Sequence, residues 1–230
     1  MFYVPTTSVE DWRKLLADPE KHWKDNYSAK ELAVCWQKNK RKFPVKVQTV
    51  LVSKFRAIKL LIGIPEHKVS LKGGGKPSQN DIWVLAKETD KLISIAVEGK
   101  VHEDFDQPLS KWYHRDSSTE GRKTRFDYLC DQLGITGKCS IEDDTLKYQL
   151  FHRAASAVIE AERFCAKHAV MLVHTFYTDG KLSHFEDYQN FVELFGLLRN
   201  EIKEDSIVTV PEPVGKNKDI QLHFAWVKGS

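Results

Sequence analysis

The chain has 230 residues, 41% of them hydrophobic and 29% charged, which suits a folded protein with a core of its own. Its formal net charge of +3 permits a polyanionic partner without implying one. Cys35, Cys130, Cys139 and Cys165 form no CxxC, the nine histidines no HExxH, and no apolar run reaches membrane-spanning length. The expectation is a cytoplasmic protein with reduced thiols and no membrane partner.

The N-terminal part reads as helices. "SVEDWRKLLADP" starts at a candidate cap, Ser8, and spaces Trp12, Leu15 and Leu16 helically. "SAKELAVCWQKNK" opens on a capping box, Ser28 to Glu31. A third helix is expected from Pro44 to Leu61. The period then changes to two. "EHKVSLKGGG", "DIWVLAKE" and "LISIAVEGKV" read as three strands.

From about Asp106 to Asp144 the chain is polar with short helices, one of them "TRFDYLCDQLG", ending at Gly134. "TLKYQLFHRAASAVIEAERFCAKH" is a long helix with alanine on its packing side, and "AVMLVHTFY" a buried strand. "HFEDYQNFVELFGLL" is a further helix, and "SIVTV" and "QLHFAWV" are terminal strands. The order predicts an α/β protein, a mixed sheet flanked by helices with an N-terminal helical extension. It reads as a single domain over 1–230.

Pairing the second and third strands is informative. A tight turn at Thr89-Asp90 sets Glu88 against Lys91, and the register then runs back along both strands. Ile82 meets Val97, Val84 meets Ile95 and Ala86 meets Ile93, an apolar face. The other face brings Asp81 opposite Glu98, with Lys100 beside them. Opposed residues have Cβ atoms roughly 4.5–5.5 Å apart, so the two carboxylates repel. At least one should have a raised pKa unless a cation sits between them, and a hard divalent ion would serve.

Asp81, then Glu98-Gly99-Lys100 at the end of the next strand, followed by "YQLFHRAASAVIEAERF" and "AVMLVHTF", resembles the PD-(D/E)xK nuclease superfamily and, within it, a largely uncharacterised bacterial group. The resemblance runs from about Ser28 to Leu198. It implies a restriction-endonuclease-like core over 63–178 plus the following helix, N-terminal helices over 1–62 and C-terminal strands over 199–230. It implies that Asp81, Glu98 and the Gly99 carbonyl hold Mg²⁺, with Mn²⁺ as a substitute. Lys100 would assist attack by a metal-activated water. Gln149 matches a glutamine that many members carry on the helix after the ExK strand, and Arg153 lies one turn further on. An acid from an early helix is also common; the helix from Pro44 to Leu61 has none, and Glu31 is the nearest candidate. Asn80 stands before Asp81 where a proline is often found.

The function expected is phosphodiester hydrolysis of nucleic acid, with DNA ahead of RNA. A catalytically inactive nuclease-fold protein acting in binding or assembly is the alternative, and a small phosphate-containing substrate a third. Many such nucleases dimerise, but no segment reads as a dimer face. "GGGKPSQN" lacks the phosphate-loop order and reads as a turn beside the site, with Lys76 near a phosphate backbone at most. His67 and Lys68 face either the cleft or the surface, and His102 and Glu103 read as loop residues. Arg122, Lys123 and Arg125 read as a solvated helix start, with a nucleic-acid path the sharper option. Glu160 and Glu162 read as solvated or structural.

Overall fold

The computed structural model describes residues 6–39, 42–116, 119–176 and 182–229. Its N-terminal helices are α1 (Val9–Arg13), α2 (Pro19–His22), α3 (Ser28–Lys38) and α4 (Val45–Val52). Ser8 caps α1 as expected, closing a capping box with Asp11. The box expected between Ser28 and Glu31 does not form. Tyr27 is the N-cap of α3 and gives no side-chain bond, while the Ser28 N–H and Oγ–H donate to Glu103 Oε1 at 2.8 and 3.0 Å. A carboxylate from elsewhere in the fold does the same job for the exposed end of the helix.

The third helix is also shorter than its periodicity suggests. It stops at Val52, and the expected helical "KLL" is already strand. That strand, β1 (Lys59–Val69), pairs along its length with β2 (Ser78–Glu88), and β2 with β3 (Lys91–Lys100). Pairing with β2 overrides a weak local preference. Pro65 is tolerated because β1 is the sheet edge. The next helices are α5 (Leu109–Tyr113), α6 (Thr119–Leu133) and α7 (Tyr148–Arg163). They lead to β4 (His168–Thr175), α8 (Leu182–Glu193), β5 (Ser206–Thr209) and β6 (Gln221–Lys228). The long helix ends at Arg163 rather than at His168, and Cys165 turns the chain with φ of 54°. The helix α8 stops at Glu193, short of the expected Leu198, and Gly196 lies beyond it at φ of 83°.

The six strands form one mixed sheet in the order β1-β2-β3-β4-β6-β5. The β1–β3 meander is antiparallel, β3, β4 and β6 run parallel, and β5 returns antiparallel. One core joins α5 to α8 to one face; a second joins α1, α3 and α4 to the other. Covered on both sides, β3 and β4 are buried almost throughout, as parallel strands usually are. Ala154, Ala155, Ala157 and Ala161 are fully buried on α7, which lets that helix lie close over the sheet. Among the described residues no helix is long and apolar enough to cross a membrane.

Candidate active site

The β2–β3 ladder has the register expected from the sequence. Glu88 pairs with Lys91, Ala86 with Ile93, Val84 with Ile95 and Ile82 with Val97, so Asp81 and Glu98 are the next residues out on the two strands. On β1, Pro65 pairs with Ile82 and His67 with Asn80, which sets Glu66 opposite Asp81. Three neighbouring strands thus contribute three acids in a row: Glu66, Asp81 and Glu98. Glu66 has φ of 54°, a left-handed conformation that side chains rarely adopt outside constrained sites.

The helix α7 crosses above this row. Its N-terminal end is fixed by Tyr148, whose ring stacks on Trp112 at 3.8 Å, and by the pairing of Pro108 with Lys147. One turn apart on this helix, Gln149 and Arg153 reach the same carboxylate. Gln149 Nε2 donates to Glu98 Oε1 at 2.8 Å, and Arg153 Nε donates to Glu98 Oε2. Arg153 Nη2 also lies 3.8 Å from Asp81 Oδ1. Lys100 Nζ has three acceptors for its three hydrogens: Glu98 Oε1 at 2.9 Å, Gln149 Oε1 at 3.0 Å and the Asp104 carbonyl at 3.3 Å.

The Gly99 N–H donates to Asp81 Oδ2 at 2.7 Å, tying the two strands at the site. A side chain at Gly99 has no room, since a Cβ there would stand 2.3 Å from Leu32 Cδ1. The glycine between Glu98 and Lys100 therefore lets α3 close against the end of β3.

The acids divide by environment. Burial and the neighbouring Glu98 push the Asp81 carboxyl well above the usual range, against the pull of Arg153. Burial pushes Glu66 up to about 7 even though Gln79 donates to it and Arg153 is near. Burial acts on Glu98 in the same direction, but Arg153 and Lys100 outweigh it, and its pKa falls below the ordinary value. Arg153, which burial would lower, is raised by Glu98 and Asp81. The row therefore holds one firmly ionised carboxylate and two that resist ionisation.

A cleft of about 230 Å³ opens beside the row. Glu66, Gln79, Asp81 and Arg153 line it together with Ser28 and Glu103, and Leu16 and Ala17 contribute from the connection between α1 and α2 and His22 from the end of α2. Glu103 is held by four donors, the Ser28 N–H and Oγ–H and the N–H groups of Val101 and His102. Burial raises its pKa, but these bonds, the one from Ser28 N–H foremost, bring it below the ordinary value.

Six of the residues singled out in the sequence thus meet in one network: Asp81, Glu98, Gly99, Lys100, Gln149 and Arg153. Glu31 does not join it. Its Oε1 accepts the Asn26 N–H at 3.2 Å at the exposed start of α3. Glu66, Gln79 and Glu103 are additions that the structure supplies. In the basic run on α6 only Arg125 turns inward, Lys123 stays exposed as expected of a solvated helix start, and all three find partners. Arg125 is buried, with Nε donating to the Lys72 carbonyl and Nη1 to that of Lys76, and it holds the triple-glycine turn. Gly73 in that turn could carry no side chain, since a Cβ would lie 2.3 Å from the Gly121 carbonyl oxygen. Arg122 pairs with Asp116 and Lys123 with Asp127.

Among the described residues no three His, Cys, Asp or Glu side chains are gathered as metal ligands. Arg153 takes the place between Asp81 and Glu98 where a cation was expected. The chemistry of the donors still fits a hard divalent ion, since Asp81 and Glu66 line the cleft with carboxylates, and burial, joined at Asp81 by the neighbouring Glu98, raises the pKa of both despite Arg153.

The model of a family described as a domain of unknown function (DUF6946) matches residues 5–230. The chain belongs to that family. Searches among curated proteins and among solved structures give no match.

Proposed function

We propose that this DUF6946 chain is a metal-dependent nuclease of the PD-(D/E)xK, restriction-endonuclease-like type that hydrolyses phosphodiester bonds in nucleic acid, DNA first. The observation that carries the reading is the convergence of Asp81, Glu98, Lys100 and Gln149 on one end of a hairpin beside a cleft. The order of meander, helix and parallel strand supports the fold assignment, and the site lies where parallel β3 ends, the usual place for ligands in open α/β sheets.

Asp81, Glu98 and the Gly99 carbonyl would hold Mg²⁺ or Mn²⁺, with Glu66 adjoining. Bound there, the ion would acidify a water and offset charge on the phosphate oxygens. Lys100 places a fixed positive charge beside the reacting phosphate; its three acceptors orient it, so little reorganisation is needed at reaction. Gln149 bonds Lys100 and Glu98 at once and keeps both in register. Arg153 keeps Glu98 ionised.

The test is cleavage of plasmid and oligonucleotide DNA and RNA with Mg²⁺ or Mn²⁺. Wild type is expected to cut, and Asp81→Asn and Lys100→Met to lose cutting. A wild type that neither cuts nor binds metal, or variants that cut as well as it does, would overturn the reading. A second reading is a non-catalytic binding protein that keeps the nuclease fold. It is favoured by the way Arg153, Gln149 and Lys100 already engage both oxygens of Glu98. Calorimetric titration with Mn²⁺ separates the two, since the non-catalytic protein should take up no ion at Asp81.

A further inference from the structure

We infer that Arg153 is a resident cation that competes with the divalent ion for Asp81 and Glu98 and is drawn off those carboxylates by a phosphate of the substrate. This rests on the nuclease reading above. The guanidinium donates to Glu98 Oε2 through Nε and stands 3.8 Å from Asp81 Oδ1 through Nη2, so it already neutralises the pair that the ion would use. Its remaining group, Nη1, is steadied at 3.2 Å by Ser78 Oγ, which lies 2.8 Å from His152 Nδ1. Yet Arg153 lines the cleft, so a substrate can reach it without unfolding α7.

Charge balance makes exchange favourable. Once Glu66 and Asp81 give up their protons, as ligation of an ion requires, the formal charges of Glu66, Asp81 and Glu98 exceed those of Lys100 and Arg153 by one negative unit. Adding a divalent ion leaves one positive unit, and a phosphodiester cancels it. A guanidinium fork also matches phosphate as well as carboxylate. The ion and the phosphate should then bind with positive coupling, each tightening the other equally.

The experiment is titration of Mn²⁺ by calorimetry into wild type, Arg153→Met and Arg153→Lys, with and without a short phosphorothioate oligothymidine that resists cleavage. The dissociation constant for Mn²⁺ should fall at least about tenfold in Arg153→Met, which corresponds to about 1.4 kcal/mol. It should stay within about threefold of wild type in Arg153→Lys, because the charge is kept. The oligomer should tighten Mn²⁺ binding in wild type and do so less in Arg153→Met.

A merely structural arginine predicts the opposite sign, since its loss would loosen the site. Equal or weaker Mn²⁺ binding in a folded Arg153→Met overturns the inference. If circular dichroism shows that variant unfolded, the wild-type coupling decides, and its absence overturns the inference. Failure of the nuclease reading looks different: neither protein binds Mn²⁺, or Asp81→Asn binds it as well as wild type. When Asp81→Asn abolishes binding and Arg153→Met does not tighten it, only the exchange falls.

Discussion

Two acid–base pairs sit under the same helix and have different fates. Arg153 and Glu98 meet near the start of α7; Glu160, two turns on, stands 3.3 Å from His67 on β1. All four side chains are almost fully buried. The Glu160 pair is roofed by aromatic rings, with Trp83 stacked between His67 at 5.1 Å and Phe164 at 4.9 Å. Arg153 instead lines the cleft, and Glu98 is tied to Lys100, Gln149 and, through Arg153, to a second carboxylate. A buried acid beside a basic side chain is therefore weak evidence for chemistry by itself. What separates these two is like charges brought together and a route to solvent.

Substitutions at each pair can break that contrast. The largest effect is expected in the network around Glu98. Lys100→Met should lower cleavage roughly 10³-fold, about 4 kcal/mol of transition-state stabilisation, while circular dichroism still reports a folded protein. Glu160→Ala should do the reverse. It leaves His67 without its acid and empties buried space beside His67, so about 2–3 kcal/mol of stability in urea titration should be lost. Its cleavage rate, measured where the variant is fully folded, should stay within about threefold of wild type. Abolished cleavage in folded Glu160→Ala would mean that the two pairs are one functional unit.

Gln149→Leu comes next. It removes the bridge between Lys100 and Glu98 but neither charge, so the expected loss is roughly 10–100-fold in cleavage rate with little change in Mn²⁺ affinity. A large loss of affinity instead would place Gln149 with the ion rather than with Lys100.

Why the sequence disclosed the centre of the site and not its edges follows from distance along the chain. The link from Asp81 to Glu98 passes through a two-residue turn, so the register is a matter of counting, and six paired apolar residues confirm the count. Gln149 and Arg153 follow from helical spacing on a long amphipathic segment. Glu66 is reached only across the connection 70–77, which is too long for its length to fix the register of β1 on β2, so counting fails there. Glu103 acts through a contact with Ser28, 75 residues away. That same contact explains why the box expected at Ser28 and Glu31 is missing, because a tertiary acceptor supplies the cap. The charge of Arg125 pointed outward by composition, but three glycines with positive φ leave backbone carbonyls at Lys72 and Lys76 for it to bond.

The smallest expected effect concerns the third acid in the row and depends on pH. Glu66 has its pKa raised to about 7 in the folded protein, against about 4.3 for a free glutamate side chain. The folded state therefore binds the proton more tightly than the unfolded one. Stability from this group is fully present below about pH 4.3 and is lost as pH rises towards 7. Glu66→Gln can still accept the bond from Gln79 but carries no charge to bury. In metal-free buffer it should match wild type at pH 4.5 and exceed it by about 1–2 kcal/mol at pH 8, a figure held below the full shift because Glu66 is only partly buried. Urea midpoints across that range read the difference directly. A gap that does not change with pH would show that Glu66 bears no uncompensated charge, and would leave Asp81 as the acid in the row that awaits a cation.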